Sequence, residues 1–92
     1  MFEVELRPEA IRRLRKLRRV DVVAILDAIE TYLRYEPERP RRRRTKRLRG
    51  KQDATYRLRV GNFRIFYDVG DRVVAVITVL HKDETAVFYR KE

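Results

Sequence analysis

The spacing of apolar residues in the first half of the chain predicts one strand followed by two helices. Residues 2–6 alternate between apolar and acidic side chains, which is typical of a strand with one buried face. Pro8 suits the first turn of a helix, because a backbone N–H is not needed there. The apolar stripe of this helix consists of Ile11, Leu14 and Leu17. A second helix is predicted from Asp21, a suitable N-cap, to a point before Pro37. Its apolar face is formed by Val22, Ile25, Leu26, Ile29 and Leu33.

Strict alternation over residues 56–67 predicts a tight β-hairpin around a Gly61-Asn62 turn. A two-residue connection fixes the register, so that Arg59 lies opposite Arg64. The same register places Val60 opposite Phe63 and Leu58 opposite Ile65. The face suited to a core contains Tyr56, Leu58, Val60, Phe63, Ile65 and Tyr67. The other face carries Arg57, Arg59, Arg64 and Phe66.

The predicted pair of Arg59 and Arg64 points to an anionic ligand on this second face. Like charges directly opposite each other on two strands are unfavourable by a few tenths to about 1 kcal/mol, so stability alone does not favour the pair. The alternative is a solvated face, on which long arginine side chains lean outward and repel each other weakly through water. The hairpin by itself is compatible with both interpretations.

The rest of the second half completes a sheet. Residues 73–80 follow a Gly70-Asp71 turn and are apolar on both faces, as expected of a strand in the middle of a sheet. We expect the helices to cover one face, and the short tail over 86–89, a basic loop or a partner to cover the other. The order of elements is then β-α-α-β-β-β, an α+β fold with a mostly antiparallel twisted sheet and both helices on one face. Residues 1–92 form one domain.

The charge of the chain points to a polyanionic partner. It has 24 Lys and Arg residues against 14 Asp and Glu residues, a net charge of +10. Nucleic acid is the first candidate, and an acidic protein is the second. Between the two halves, residues 36–52 form a basic loop or the frayed beginning of a strand, which is either a solvated segment or a phosphate-binding one. The candidate RNA contacts in it are Arg41, Arg42, Arg43, Arg44, Lys46, Arg47, Arg49 and Lys51.

Several classes of protein are excluded by what the chain lacks. It contains no cysteine and no serine, which removes disulfides, thiolate metal sites and Ser-His-Asp catalysis. His81 is the single histidine and has no carboxylate pair at ligand spacing, so we expect no metal and no cofactor. The N-terminus lacks the pattern of a signal peptide, and no apolar run is long enough to span a membrane. These features suit the reducing cytoplasm.

RNA cleavage by the adjacent 2′-hydroxyl needs neither a metal nor a protein nucleophile. The protein must align the hydroxyl, stabilise charge on the phosphorane and move protons. Fixed guanidinium groups suit the second task, because they stay charged and bind phosphate oxygens in a bidentate way. Arg57, Arg59 and Arg64 are the candidates for it.

Proton transfer and base stacking have their own candidates near the C-terminus and in the hairpin. Tyr89, His81 or Lys82 would move protons, and Phe66 or Tyr89 would stack on a base. Each residue also has a purely structural interpretation. His81 at the end of a strand is more often a surface residue, and Tyr89 would simply cap the core.

Two segments of the chain resemble the RelE/ParE toxin superfamily. They are Leu48-Arg49-Gly50 and the stretch over 56–69, which reads YRLRVGNFRIFYDV, followed by an apolar strand and a terminal Tyr89. The resemblance covers nearly the whole chain and implies the toxin of a bacterial or archaeal toxin–antitoxin pair. In the RelE branch such toxins cleave messenger RNA in the ribosomal A site, and an antitoxin that wraps the toxin inhibits them. The implied partners are therefore an acidic antitoxin and a ribosome with its mRNA and rRNA.

The resemblance also implies site residues. Arg57 and Arg59 match two basic positions on the first hairpin strand, and Arg64 matches an arginine after the turn. Lys82 approximately matches a basic residue after the last long strand, and Tyr89 matches the C-terminal tyrosine. Lysine is common at the first two positions, so arginine there shifts the role toward charge stabilisation. The spacing from Lys82 to Tyr89 also departs from the family pattern, which leaves Phe88 or His81 as alternatives.

The ParE branch provides the alternative function. It shares the fold, inhibits DNA gyrase and lacks the nuclease residues, whereas this chain keeps the basic set and Tyr89. A degenerate toxin that only binds its antitoxin is the third hypothesis.

Overall fold

The computed structural model describes residues 1–49 and 54–86. In these ranges the helices are α1, Pro8–Leu14, and α2, Arg19–Leu33. The strands are β1 (Glu3–Leu6), β2 (Thr45–Arg47), β3 (Tyr56–Val60), β4 (Phe63–Val69) and β5 (Val73–His81). A short 3₁₀ helix, Lys82–Glu84, follows β5.

The strands form one sheet in the order β1-β5-β4-β3-β2. The pairing of β1 with β5 is parallel, and the other three pairings are antiparallel. The predicted α+β fold with a mostly antiparallel sheet is therefore confirmed. The structure adds β2, because three residues of the basic segment pair with β3 and extend the sheet beyond the hairpin.

The helices begin close to where the apolar pattern places them. However, α1 ends at Leu14, before Leu17 of the predicted stripe, and Leu26 of the predicted apolar face of α2 is exposed. Pro8 is the first residue of α1, as predicted. The expectation that Asp21 is the N-cap of α2 is wrong, since Arg18 is the N-cap and its carbonyl accepts from the backbone N–H groups of Asp21 and Val22. Asp21 instead lies in the first turn, where a carboxylate interacts favourably with the helix dipole.

The main core lies between the helices and one face of the sheet, called here the inner face. The hairpin has the predicted register, with Arg59 opposite Arg64 and Val60 opposite Phe63. All six hairpin residues expected on the core side contact this core. The prediction of two unlike hairpin faces is thus confirmed.

The opposite face of the sheet, called here the outer face, has a small apolar cluster of its own. A register shift in the pairing of β4 with β5 lies at Phe66/Tyr67. On this face Phe66 and Leu80 pack with Ala54, and Leu48 and Ile77 flank the three residues. Phe66 is 0% exposed, so its predicted role as a stacking platform for a base is wrong. Burial in this cluster removes the apolar surface of the Phe66 ring from water.

Candidate nucleic-acid interface

A basic groove lies on the outer face beside the hairpin. It has a volume of about 420 Å³ and is open to solvent. Three of its lining residues are the hairpin arginines Arg57, Arg59 and Arg64, and the others include Arg42, Arg43 and Lys46. We call it the central groove. The structure therefore brings together the three arginines that the sequence analysis assigns to charge stabilisation.

Arg57 is half-buried. It lies in the middle of the outer face, between Lys46 on β2 and Phe66 on β4. Its Nε is buried and, among the residues that the structure describes, has no hydrogen-bond partner. A buried donor without a partner costs free energy, and a phosphate oxygen in the central groove would offset that cost.

Arg59 and Arg64 form the next pair of opposite residues on the outer face, closer to the hairpin turn. Arg59 is exposed, whereas Arg64 is half-buried. The Nη1 atom of Arg64 donates to the carbonyl oxygens of Gly61 at 3.0 Å and Phe63 at 2.9 Å. These bonds fix the guanidinium of Arg64 against the hairpin turn. Within the described ranges, no carboxylate forms an ion pair with Arg57 or Arg59.

The wall of the central groove is formed by a turn over residues 41–45, called here the arginine turn. The N–H of Arg41 donates to the Thr45 carbonyl at 3.2 Å, and the N–H of Thr45 donates back at 2.9 Å. This turn leads directly into β2. Arg42 and Arg43 are exposed on it, whereas the guanidiniums of Arg41 and Arg44 lie over the ring of Tyr32.

The other basic residues of the segment are distributed over different surfaces. Lys46 lies opposite Arg57 and lines the central groove. Arg47 lies opposite Tyr56, whose ring belongs to the inner face, so β2 directs Arg47 away from the groove. Arg49 is exposed and is not part of the groove wall. Lys51 lies outside the described residues.

His81 is not brought together with the arginines. It lies opposite Phe63, and the two rings meet edge to face with centroids 5.6 Å apart. Its side chain is therefore on the inner face, beside a separate groove of about 290 Å³ that Arg13 and Glu84 also line. The Nδ1 atom of His81 accepts from the N–H of Asp83 at 3.1 Å, which caps the 3₁₀ helix.

The same cap lowers the pKa of Glu84. The N–H of His81 donates to Glu84 Oε1 at 2.9 Å, and this bond is the main cause of the lowered pKa. Glu84 Oε2 also accepts from Arg13 of α1 at 3.0 Å. His81 and Glu84 thus hold the end of β5 against α1, which is a structural role.

Lys82 lies close to the hairpin turn. Its backbone N–H donates to the Asn62 carbonyl at 2.7 Å, and its side chain is exposed. Tyr89 and its alternative Phe88 lie outside the described residues. Of the predicted proton-transfer residues, Lys82 is therefore the one that the structure describes beside the hairpin.

Tyr32 contacts the arginine turn, and the apolar pattern of the sequence does not predict this contact. It belongs to α2, and its ring lies within 5.2 Å of the guanidinium carbon of Arg41 and 4.7 Å of that of Arg44. Helical spacing from Ile25 and Ile29 places Tyr32 at the edge of the apolar face. The contact with the arginine turn depends on how α2 meets the end of β2, which periodicity does not encode.

Two kinds of site are absent from the part of the chain that the structure describes. Among residues 1–49 and 54–86 there is no group of three His, Cys, Asp or Glu side chains that would hold a metal ion. In the same ranges, no helix has the length and apolar character needed to cross a bilayer.

The fold and the arginine-lined groove define a small basic α+β domain with the architecture of RelE-like toxins. The chain is similar to a chain of the toxin–antitoxin complex RelBE2 from Mycobacterium tuberculosis, with 28% identity and a TM-score of 0.74, over 87% of this chain and 96% of that one. A chain of the archaeal RelE-RelB complex from Pyrococcus horikoshii OT3 is similar at 25% identity and a TM-score of 0.73, over 90% and 97% of the two chains. A chain of the RelB-RelE complex from Methanococcus jannaschii shares the fold at 18% identity, with a TM-score of 0.60 and coverage of 92% and 98%.

Comparison of the sequence with a family model identifies the family of this chain. The family model for the ParE toxin of the type II toxin–antitoxin system parDE matches residues 4–86. No curated protein matches the chain. The chain therefore belongs to the ParE toxin family and is a toxin of the type II toxin–antitoxin class, which confirms the resemblance to the RelE/ParE superfamily.

Proposed function

We propose that this toxin is a metal-independent endoribonuclease that cleaves messenger RNA on the ribosome and so inhibits translation. The observation that carries the proposal is the convergence of Arg57, Arg59 and Arg64 in the central groove. Two paired strands hold these side chains in place, so the positive charge is fixed before a ligand binds. The proposed target places the site of action in the cytoplasm.

The proposed reaction uses a nucleophile from the RNA itself. The 2′-oxygen forms a bond to the adjacent phosphorus, the bond from phosphorus to the 5′-oxygen breaks, and the ends are a 2′,3′-cyclic phosphate and a 5′-hydroxyl. One proton leaves the attacking hydroxyl, and one is added to the leaving oxygen. The arginines stabilise charge on the phosphorane, because a guanidinium stays protonated and binds two oxygens at once. Lys82 and Tyr89 are the proposed proton-transfer residues, and His81 is disfavoured because it lies on the inner face.

The test is a translation reaction with purified toxin and a defined message. We expect cleavage of the message in the A site of the ribosome. Arg64→Ala and Tyr89→Phe are expected to fold and to lose cleavage, with at least a hundredfold reduction in rate for the arginine, as is usual when a charge-stabilising group is removed. Uncut message with the unaltered protein would contradict the proposal.

A matched control separates position from charge. Arg19→Ala removes one positive charge from an exposed site at the start of α2, outside the central groove. This variant is expected to cleave at nearly the rate of the unaltered protein. Equal losses in Arg19→Ala and Arg64→Ala would show that net charge, and not the groove, determines activity.

We also propose a cognate acidic antitoxin as a partner. The solved relatives are toxin–antitoxin complexes, and this chain combines a net charge of +10 with exposed apolar residues on α2. These residues are Val20, Val23 and Leu26. An acidic, amphipathic segment complements both features. A small acidic reading frame beside the gene, whose product co-purifies with this protein, is the expected finding.

The second candidate function is inhibition of DNA gyrase by protein binding. It is favoured by the match of the chain to the ParE family model. A supercoiling assay distinguishes the two candidates, because inhibition of gyrase without RNA cleavage would select the second one. A protein that is inactive in both assays but binds its antitoxin would be a degenerate toxin.

A further inference from the structure

The arginine turn presents its four arginines as two pairs with different surroundings. Arg41 and Arg44 both lie at cation–π distance over the ring of Tyr32, at 5.2 and 4.7 Å. Arg41 also donates to Thr45 Oγ1 and to the carbonyl of Arg39, at 3.3 and 3.2 Å. Arg44 Nη1 donates to the Arg59 carbonyl at 3.3 Å. The first and last arginines of the run are therefore engaged within the fold.

The two middle arginines have different surroundings. Arg42 and Arg43 are exposed, and within residues 1–49 and 54–86 neither forms a hydrogen bond through its side chain or an ion pair. Both line the central groove, together with Arg41 and Arg59. Arg42, Arg43 and Arg59 also line a second groove of about 370 Å³, called here the tip groove, whose other lining residues are Arg44 and Gly61. Two neighbouring concavities thus share three guanidiniums.

The backbone of Arg43 has a left-handed conformation, as does that of Arg72 in the turn before β5. The φ of Arg43 is +65°, a left-handed conformation that is unfavourable for a residue with a β-carbon. Glycine or asparagine suits such a position better. The hydrogen bonds between Arg41 and Thr45 close the turn around Arg43 and hold it in this conformation.

We propose that Arg42, Arg43 and Arg59 form a clamp that holds two successive phosphates of an RNA strand, one in each groove. Tyr32 is a positioning residue, because it binds Arg41 and Arg44 and thereby keeps the middle arginines directed toward the grooves. The inference rests on the proposed function and deepens it. In this proposal Arg41 and Arg44 anchor the arginine turn to the fold, whereas Arg42 and Arg43 bind phosphate. The tip groove becomes part of the RNA-binding site.

The experiment measures binding of a short 2′-O-methyl oligoribonucleotide, which lacks the nucleophile and is not cleaved. Each phosphate contact adds about 0.7 to the slope of log affinity against log salt concentration for a single strand. Arg42→Ala and Arg43→Gly are each expected to reduce this slope by about that amount, without a lower melting temperature. Arg19→Ala, which removes a charge elsewhere, is expected to leave the slope unchanged.

Tyr32 is tested by a pair of variants that do not alter charge. Tyr32→Phe keeps the ring and is expected to keep the salt slope, whereas Tyr32→Leu removes the ring and is expected to reduce it. A purely structural role would lower the melting temperature of Tyr32→Leu but leave the slope intact, and that result would overturn the positioning role.

The outcomes separate the clamp from the proposed function. Reduced slopes in a protein that does not cleave message would support the clamp and contradict the nuclease. Unchanged slopes in Arg42→Ala and Arg43→Gly, or no binding of the oligoribonucleotide by the unaltered protein, would overturn the clamp even if message is cleaved.

Discussion

Tyr67 shows how a single buried polar atom links the loop after α2 to the sheet. Its hydroxyl donates to the Pro37 carbonyl at 2.7 Å, and its ring stacks on Tyr56 at 5.4 Å. The side chain is fully buried. Burial is the main cause of the strongly raised pKa of this phenol, because the charged phenolate is poorly solvated there. Burial is also the main cause of the raised pKa of Tyr56.

These raised pKa values predict a loss of stability in alkali. In the unfolded chain a tyrosine ionises near pH 10, whereas in the folded protein Tyr67 ionises at higher pH. The unfolded state therefore loses protons first, and the free energy of unfolding is expected to fall as the pH rises above about 10. Urea denaturation at a series of pH values measures this dependence.

Tyr67→Phe provides the comparison. It removes the ionisable group and leaves the Pro37 carbonyl without its donor, so we expect about 1 kcal/mol less stability at neutral pH. The decline in alkali is expected to be shallower than in the unaltered protein. Tyr35→Phe changes a tyrosine that is 64% exposed and should retain the full decline. Identical pH profiles for all three proteins would contradict this account.

At the scale of elements, the hairpin turn is the feature on which the arginine pairing depends. Gly61 has a φ of +55°, and a β-carbon at this position would meet no atom within 4 Å. Gly61→Ala is therefore expected to destabilise the protein by about 1 kcal/mol through backbone conformation alone. Thermal or urea unfolding measures the change.

The matched control for the turn is Gly70→Ala. Gly70 is not in the left-handed region, and an added β-carbon would make an ordinary contact of 3.7 Å with the Val73 carbonyl. We expect this variant to be as stable as the unaltered protein, or slightly more so, because alanine reduces the conformational entropy of the unfolded chain. Equal destabilisation by the two substitutions would show that the turn conformation is not the cause.

At the scale of the whole molecule, the net charge of +10 is expected to make stability depend on salt. Like charges repel one another most in the compact folded state, and ions screen this repulsion. The melting temperature is therefore expected to rise between low and moderate salt. Lys16→Glu, at an exposed site, lowers the net charge by two units and should weaken this dependence. A melting temperature that falls with salt would show that specific ion pairs outweigh the general repulsion.

The sequence by itself determined the local parts of this structure. The Gly61-Asn62 turn and the alternation around it fixed the pairing of Arg59 with Arg64, because turn geometry and a period of two act within a few residues. Pro8 marked the start of α1 for the same local reason. The absence of cysteine and serine excluded disulfides, thiolate metal sites and Ser-His-Asp catalysis, because each of these needs a residue type that the chain lacks.

Tertiary structure decided which of these local parts meet. The register shift at Phe66/Tyr67 places His81 opposite Phe63 on the inner face, and packing with Leu80 buries Phe66. The contact of Arg41 and Arg44 with Tyr32 divides a run that is uniform in sequence into two kinds of arginine. Each of these facts depends on residues far apart in the chain, and a short-range pattern of apolar and polar positions carries no information about such contacts.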